Sequence, residues 1–212
     1  MKTFLFQGDS ITDAGRSHDR DDWMGSGYPT ITAGILNQFF PGKIRFLNRG
    51  ESGNKSIDLY ARMEEDCIRL KPDFISVLIG VNDVWHEISH GTGCNAQQFE
   101  WYCRRFYERV LTELPGVQIL VLEPFVTKGS LYDGERWNTF RSAVEINASI
   151  SAKLARKYNL AFIPLQRTFD LAASTFGPEA LTIEGVHPTQ FGHSIIAKAL
   201  VQEFEERMTA TI

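Results

Sequence analysis

Hydrophobic and polar positions along this chain follow two periods in alternation. Short apolar runs, mostly β-branched or aromatic, occupy residues 3–7, 44–48, 74–79, 118–122 and 161–164, and have the length and character of buried strands. Between them, residues 28–40, 56–70, 96–114, 138–158 and 190–208 repeat apolar side chains at three- and four-residue steps, the period of a helix with one buried face. In 56–70 that face is Ile57, Tyr60, Met63 and Cys67. In 96–114 it is a long stripe from Phe99 through Phe106 and Val110 to Leu114, and in 190–208 it includes Ile196, Leu200 and Phe204. Strands that are apolar on both sides, each followed by a helix, predict a parallel sheet covered on its two faces: a three-layer α/β/α sandwich with five strands, flavodoxin-like in outline. Five such units use up the length without a linker, a charge block or a repeat, so residues 1–212 are expected to form one domain.

Open α/β sheets bind ligands in the crevice beyond the carboxyl ends of their strands, which directs attention to the residues just after each run. The first run ends in Gly8-Asp9-Ser10-Ile11-Thr12, a tight turn presenting a hydroxyl where a helix would begin. A serine there also serves simply as an N-cap. The second ends in Asn48-Arg49-Gly50-Glu51-Ser52-Gly53-Asn54, where Gly50 lets a backbone N–H approach a ligand or merely permits a turn. The third ends in Gly80-Val81-Asn82-Asp83, with a carboxamide that suits either an Asx-turn or a donor role. Ahead of the last helix, Glu184-Gly185-Val186-His187 sets a carboxylate three residues before an imidazole, a spacing at which it can accept from one ring nitrogen while the other faces a nucleophile. Each feature alone has a structural explanation. Their joint arrival at one crevice is what points to chemistry.

Composition narrows the field further. Hydrophobic residues make up 43% and there are 17 glycines, so the chain has ordinary globular content and is not disordered. With 22 basic and 26 acidic residues the net charge is −4, and no basic cluster suggests a nucleic-acid partner. No run approaches the ~20 apolar residues of a membrane span, and the apolar stretch at the N-terminus is too short for a signal peptide. The expectation is a soluble, cytoplasmic protein. Cys67, Cys94 and Cys103, without a C-x-x-C pair, are expected to be reduced and packed as small apolar side chains.

Taken in order, the four blocks resemble the SGNH hydrolases, also called the GDSL esterase/lipase family, whose name lists Ser, Gly, Asn and His; here these are Ser10, Gly50, Asn82 and His187. The flanking text, Thr12-Asp13-Ala14-Gly15-Arg16, Gly25-Ser26-Gly27-Tyr28 and Gly80-Val81-Asn82-Asp83-Val84-Trp85, is most similar to cytoplasmic bacterial acetylxylan esterases. The resemblance implies a serine esterase that removes short acyl groups, acetyl above all, from carbohydrate such as xylo-oligosaccharides, with no cofactor and no metal. Ser10 would be the nucleophile, His187 the base, and the N–H groups of Ser10, Gly50 and the Asn82 side chain the oxyanion hole. The family carries Asp three residues before the histidine, and this chain has Glu184. Either Glu184 does the same work, or it faces solvent and a carbonyl or water orients His187. A lysophospholipase, thioesterase or general short-chain esterase of the same family is the main alternative.

Three aromatic residues, Trp85, Tyr28 and Trp23, are candidates for the pocket wall. Asp9 and Asp83 are expected to hold their turns by side-chain hydrogen bonds. His86-Glu87-Ile88-Ser89-His90 spells the H-E-x-x-H zinc-protease signature, but Gly91 and Gly93 follow at once and leave room for a turn or two of helix, so surface histidines are expected. A non-enzymatic flavodoxin-like binding module is the remaining rival, disfavoured by acidic Asp9 where a phosphate cradle needs glycine. With no second domain and no long insertion, the site would be open, built from the loops at 10–27, 50–54, 82–93 and 127–137, with room for a second subunit of a homo-oligomer to complete it.

Overall fold

The structure, a computed structural model, describes residues 1–208. Five parallel strands form one sheet in the order β2-β1-β3-β4-β5: β1 (Lys2–Gly8), β2 (Ile44–Gly50), β3 (Phe74–Leu78), β4 (Gln118–Leu122) and β5 (Ala161–Ile163). All five predicted strands are present. The first two run on to Gly8 and Gly50, which pair with each other in register. The chain leaves β1 for β2 on one side and returns to β3 on the other, so the strand order reverses at β1. That reversal opens a crevice beyond the carboxyl ends of β2, β1 and β3.

Alternation along the strands divides the core in two. Phe4, Phe6, Phe74, Leu120 and Leu122 face one layer, where they pack with α2 (Tyr28–Phe39), the start of α5 (Val81–His90), α8 (Gln166–Phe176) and α9 (Gln190–Met208). Leu5, Leu47, Ile75, Val77, Ile119 and Val121 face the other, against α3 (Ser56–Ala61), α4 (Met63–Asp66) and α6 (Ala96–Glu113). The helix α7 (Gly134–Lys157) contributes Phe140 and Val144 to the first cluster and Leu154 to the second. Among the described residues no helix is long and apolar enough to cross a membrane, and all three cysteines are free and buried.

Two departures from the expected pattern bear on the site. Residues 56–70 form α3, α4 and a 3-10 turn rather than one helix, broken at Arg62 and Cys67. After β3 a ten-residue helix, α5, carries Asn82 near its start and the two histidines of the H-E-x-x-H text near its end. Gly91 closes it in a left-handed conformation, so the glycine ends the helix without shortening it as expected. Helix α8 has no counterpart among the elements that the sequence pattern predicts.

Candidate active site

Ser10 is placed by the short helix α1 (Ser10–Asp13), whose cap is Asp9. Asp9 accepts a hydrogen bond from the Ile11 N–H at 3.0 Å, so the chain turns sharply after β1 and sets Ser10 half-buried at the first helical position. The Ser10 hydroxyl lies 2.8 Å from His187 Nε2. On the other side of the ring, Nδ1 hydrogen-bonds to Glu184 Oε1. That bond requires the proton on Nδ1, which leaves Nε2 as the acceptor for the serine hydroxyl.

The turn carrying Glu184 and His187 is held from several directions. The Ile183 N–H donates to the His187 carbonyl at 2.9 Å and folds the segment back on itself. Leu131 donates to the Glu184 carbonyl and Thr127 to that of Gly185, so the loop after β4 buttresses the turn. Burial works to raise the Glu184 carboxyl, but the hydrogen bonds from the His187 ring and backbone outweigh it and hold the carboxyl below its usual range. The same bond raises His187 above 6.5, against burial.

Asn82, nearly inaccessible, donates one carboxamide N–H to the Asn54 carbonyl at 3.1 Å. This fixes the side chain at the start of α5 and ties it to the loop after β2. In that loop the structure corrects the expected donor. The Gly50 N–H is already donated to Asn48 Oδ1 at 2.8 Å, and a Cβ on Gly50 would stand 2.2 Å from the Asp13 nitrogen. Gly50 is therefore a close-packing position at the end of β2 and has no spare donor. Three residues on, Gly53 has φ +82° and its N–H has no hydrogen-bond partner among the described residues. The N–H of Ser10 is likewise unpaired, as expected at the start of a helix.

A set of polar side chains that no sequence pattern singles out clamps these loops together. Asn48 donates to the Thr12 and Met24 carbonyls at 2.7 and 2.9 Å. Arg16 donates to the Gly50 carbonyl at 2.7 Å and pairs with Glu51. Arg62 donates to Asn54 Oδ1 at 2.6 Å, the Arg49 carbonyl at 2.8 Å and the Gly8 carbonyl at 3.0 Å. Nothing in local sequence pattern marks such residues, because most of their partners are backbone carbonyls remote in sequence.

The three aromatic candidates separate. Trp85 packs edge-on to His187, ring centroids 5.9 Å apart. Trp23 is 58% exposed, with its indole N–H donated to the Gly15 carbonyl at 3.0 Å. Tyr28 is no wall residue: it is 0% exposed, stacks edge-on to Phe6 and meets the Thr12 hydroxyl at 3.0 Å. The ring opens α2 and points into the core because β1 lies directly beneath it.

Asp83 accepts from the Ser56 N–H at 3.1 Å and from its hydroxyl, which joins α5 to α3. Burial pushes Asp83 up to about 6 and Asp9 up to about 7. Both serve the backbone around the site. Among the described residues no group of three or more His, Cys, Asp and Glu is arranged to hold a metal ion, and Glu87 caps the Gly93 N–H at 3.1 Å.

A hydroxyl, an imidazole and a carboxylate in hydrogen-bonded sequence, with unpaired N–H groups on the adjoining loops, form an arrangement chemically suited to acyl transfer at the switch point of an α/β sheet. The sequence profile of the GDSL-like lipase/acylhydrolase family matches residues 6–195, and the chain belongs to that family, the carboxylic ester hydrolases. It is 34% identical over 206 residues to an acetylxylan esterase of Geobacillus stearothermophilus, covering 94% of this chain and 92% of the relative. Among solved structures, a putative GDSL-like lipase from Parabacteroides merdae superposes with a TM-score of 0.91 at 33% identity, over 96% of this chain and 95% of that one. The Geobacillus acetylxylan esterase itself superposes at 0.85 and 32% identity, over 95% and 93%. Crystal structures of that enzyme include catalytic mutants in which a serine and an aspartate are replaced by alanine.

Proposed function

We propose that this esterase removes acetyl groups from hydroxylated carbohydrate, such as acetylated xylo-oligosaccharides, through an acyl-enzyme on Ser10. The observation that carries the mechanism is the hydrogen-bonded line from the Ser10 hydroxyl through His187 to Glu184. Ser10 Oγ attacks the ester carbonyl carbon while its proton passes to His187 Nε2. The tetrahedral intermediate then expels the sugar hydroxyl, which takes that proton from the imidazolium. Water, deprotonated in turn by His187, attacks the acyl-serine and releases acetate. Glu184 stays ionised and supports the positive charge that forms on the ring.

We assign the oxyanion hole to the N–H groups of Ser10 and Gly53 and the second carboxamide N–H of Asn82, with Gly53 in place of Gly50. Its support is that the Gly50 N–H is occupied and the Gly53 N–H is not, while the next residue, Asn54, is the one that holds Asn82. Trp85, against the imidazole, is the aromatic wall on which a sugar ring would pack. Trp23, its indole face open, is an outer contact.

The carbohydrate substrate is supported by the likeness to the acetylxylan esterase. A cytoplasmic enzyme would deacetylate imported oligosaccharides rather than polymer. The deciding experiment compares aryl esters of increasing acyl length with an acetylated xylo-oligosaccharide, using Ser10→Ala as the blank. We expect turnover to be greatest for acetyl and to vanish in the variant. A preference for chains of about eight carbons or more would overturn the deacetylase reading in favour of a lysophospholipase or thioesterase.

A further inference from the structure

The H-E-x-x-H segment has no part in the ester chemistry, yet the structure sets it beside the site. Asn82, His86 and His90 follow one another at four-residue steps along α5 and share one face of the helix. The His86 and His90 ring centroids are 6.3 Å apart. His86 Cε1 lies 4.0 Å from where a Cβ on Gly53 would stand, so the first imidazole abuts the loop that holds Asn82. His90 is exposed.

We propose that His86 and His90 bind a divalent transition-metal cation of the Cu²⁺, Ni²⁺ and Zn²⁺ class, and that its binding slows ester hydrolysis. Imidazole nitrogens favour these ions over Mg²⁺ and Ca²⁺. A shared ion about 2.0–2.1 Å from each nitrogen requires the rings to close by roughly an ångström, which side-chain rotation at both histidines supplies. The site is not that of a zinc protease. It has two protein ligands, and Glu87 is engaged with the Gly93 N–H. Coordination would fix His86 in a new position against Gly53, in the loop that also holds Asn82. Displacements of about an ångström in a catalytic constellation cost up to ~10²-fold in rate. This inhibitory half rests on the esterase reading; the binding half does not.

The test titrates metal-free protein with NiCl₂ by calorimetry and follows aryl acetate hydrolysis with and without EDTA. We expect His90→Gln to weaken binding by about tenfold or more while keeping metal-free activity. Saturating Ni²⁺ should slow the wild-type enzyme by about tenfold or more, EDTA should restore it, and His90→Gln should not respond. Binding of wild-type strength in His90→Gln overturns the site. Unchanged turnover of the saturated wild type overturns the inhibitory role. A metal-free protein that hydrolyses no ester overturns the esterase reading and the inhibition with it, while calorimetry still decides whether the cation binds.

Discussion

The Glu184 carboxylate reaches His187 twice, with Oε1 accepting from the ring Nδ1–H and, at 3.1 Å, from the His187 backbone N–H. The turn is closed between Ile183 and His187, so the glutamate, standing where the resemblance implies an aspartate, holds ring and backbone together. Glu184→Gln keeps the shape and removes the anion. We expect kcat to fall by more than about tenfold with KM little changed, since the lost support is for an imidazolium that forms only during turnover. The pH dependence follows from the same pair. Glu184 raises His187 above 6.5, and the base must be neutral, so wild-type kcat/KM falls as pH drops through that raised value. Without the anion the acid limb moves to lower pH. Rates from about pH 5 to about pH 9 check both expectations. A loss under about tenfold with an unmoved limb would take Glu184 out of the mechanism.

The reassignment of the loop donor separates two substitutions. Asn82→Ala removes a donor that we assign to the oxyanion hole, and kcat should fall by about 10²–10³ while the melting temperature changes little. Gly50→Ala forces a methyl against the Asp13 backbone and should lower the melting temperature instead. Steady-state kinetics and thermal melts on both variants test this. A stable Gly50→Ala protein with a selective loss of kcat would return the oxyanion role to Gly50.

The five strands and the long helices were legible because a buried parallel sheet and a one-sided helix impose periods that survive in the residue order. Ser10, Asn82, His187 and Glu184 were placed at the crevice for the same reason: each follows directly on, or lies between, legible elements. What the order of residues does not encode is direction. Gly50 and Gly53 are both glycines of one loop, and only the Asn48 side chain, which turns back to take the Gly50 N–H, tells them apart. Tyr28 sits beside a glycine loop in sequence, yet the position of β1 sends its ring inward. The break between α3 and α4 has no glycine or proline to announce it. It falls at Arg62, whose guanidinium is drawn to carbonyls of two strands and to Asn54.

That guanidinium connects Gly8, two residues before Ser10, with Asn54, which holds Asn82. Arg62→Met keeps much of the apolar stem and removes all the donors. We expect a fall in kcat of about tenfold or more without a matching rise in KM, because the guanidinium is bound to the loops themselves and the assigned oxyanion donors lie on those loops. The double variant with Asn82→Ala is the sharper measurement. If Arg62 acts by positioning Asn82, its effect on kcat shrinks once Asn82 is gone; fully additive losses would show that it acts independently of Asn82.

His193 offers a test of the fold's pH response apart from catalysis. Its Nδ1 accepts from the Tyr28 N–H at 3.2 Å and joins α9 to the start of α2. Burial, then the nearby charge of His187, lower its pKa to about 4. Between about 6.5 and about 4 the unfolded chain binds a proton that the folded chain does not, so stability is full above 6.5 and declines as pH falls through this window. The shift corresponds to about 3 kcal/mol at its limit. Asp9 and Asp83, pushed up to about 7 and about 6 by burial, act in the opposite sense, because the folded protein holds their protons more tightly. The informative quantity is therefore the difference from a variant. In His193→Asn the carboxamide oxygen can still accept from Tyr28 but does not titrate. Melting temperatures measured from about pH 7.5 down to about pH 4 should fall more steeply for the wild type than for His193→Asn; parallel curves would show that His193 takes up its proton in the folded state as readily as in the unfolded one.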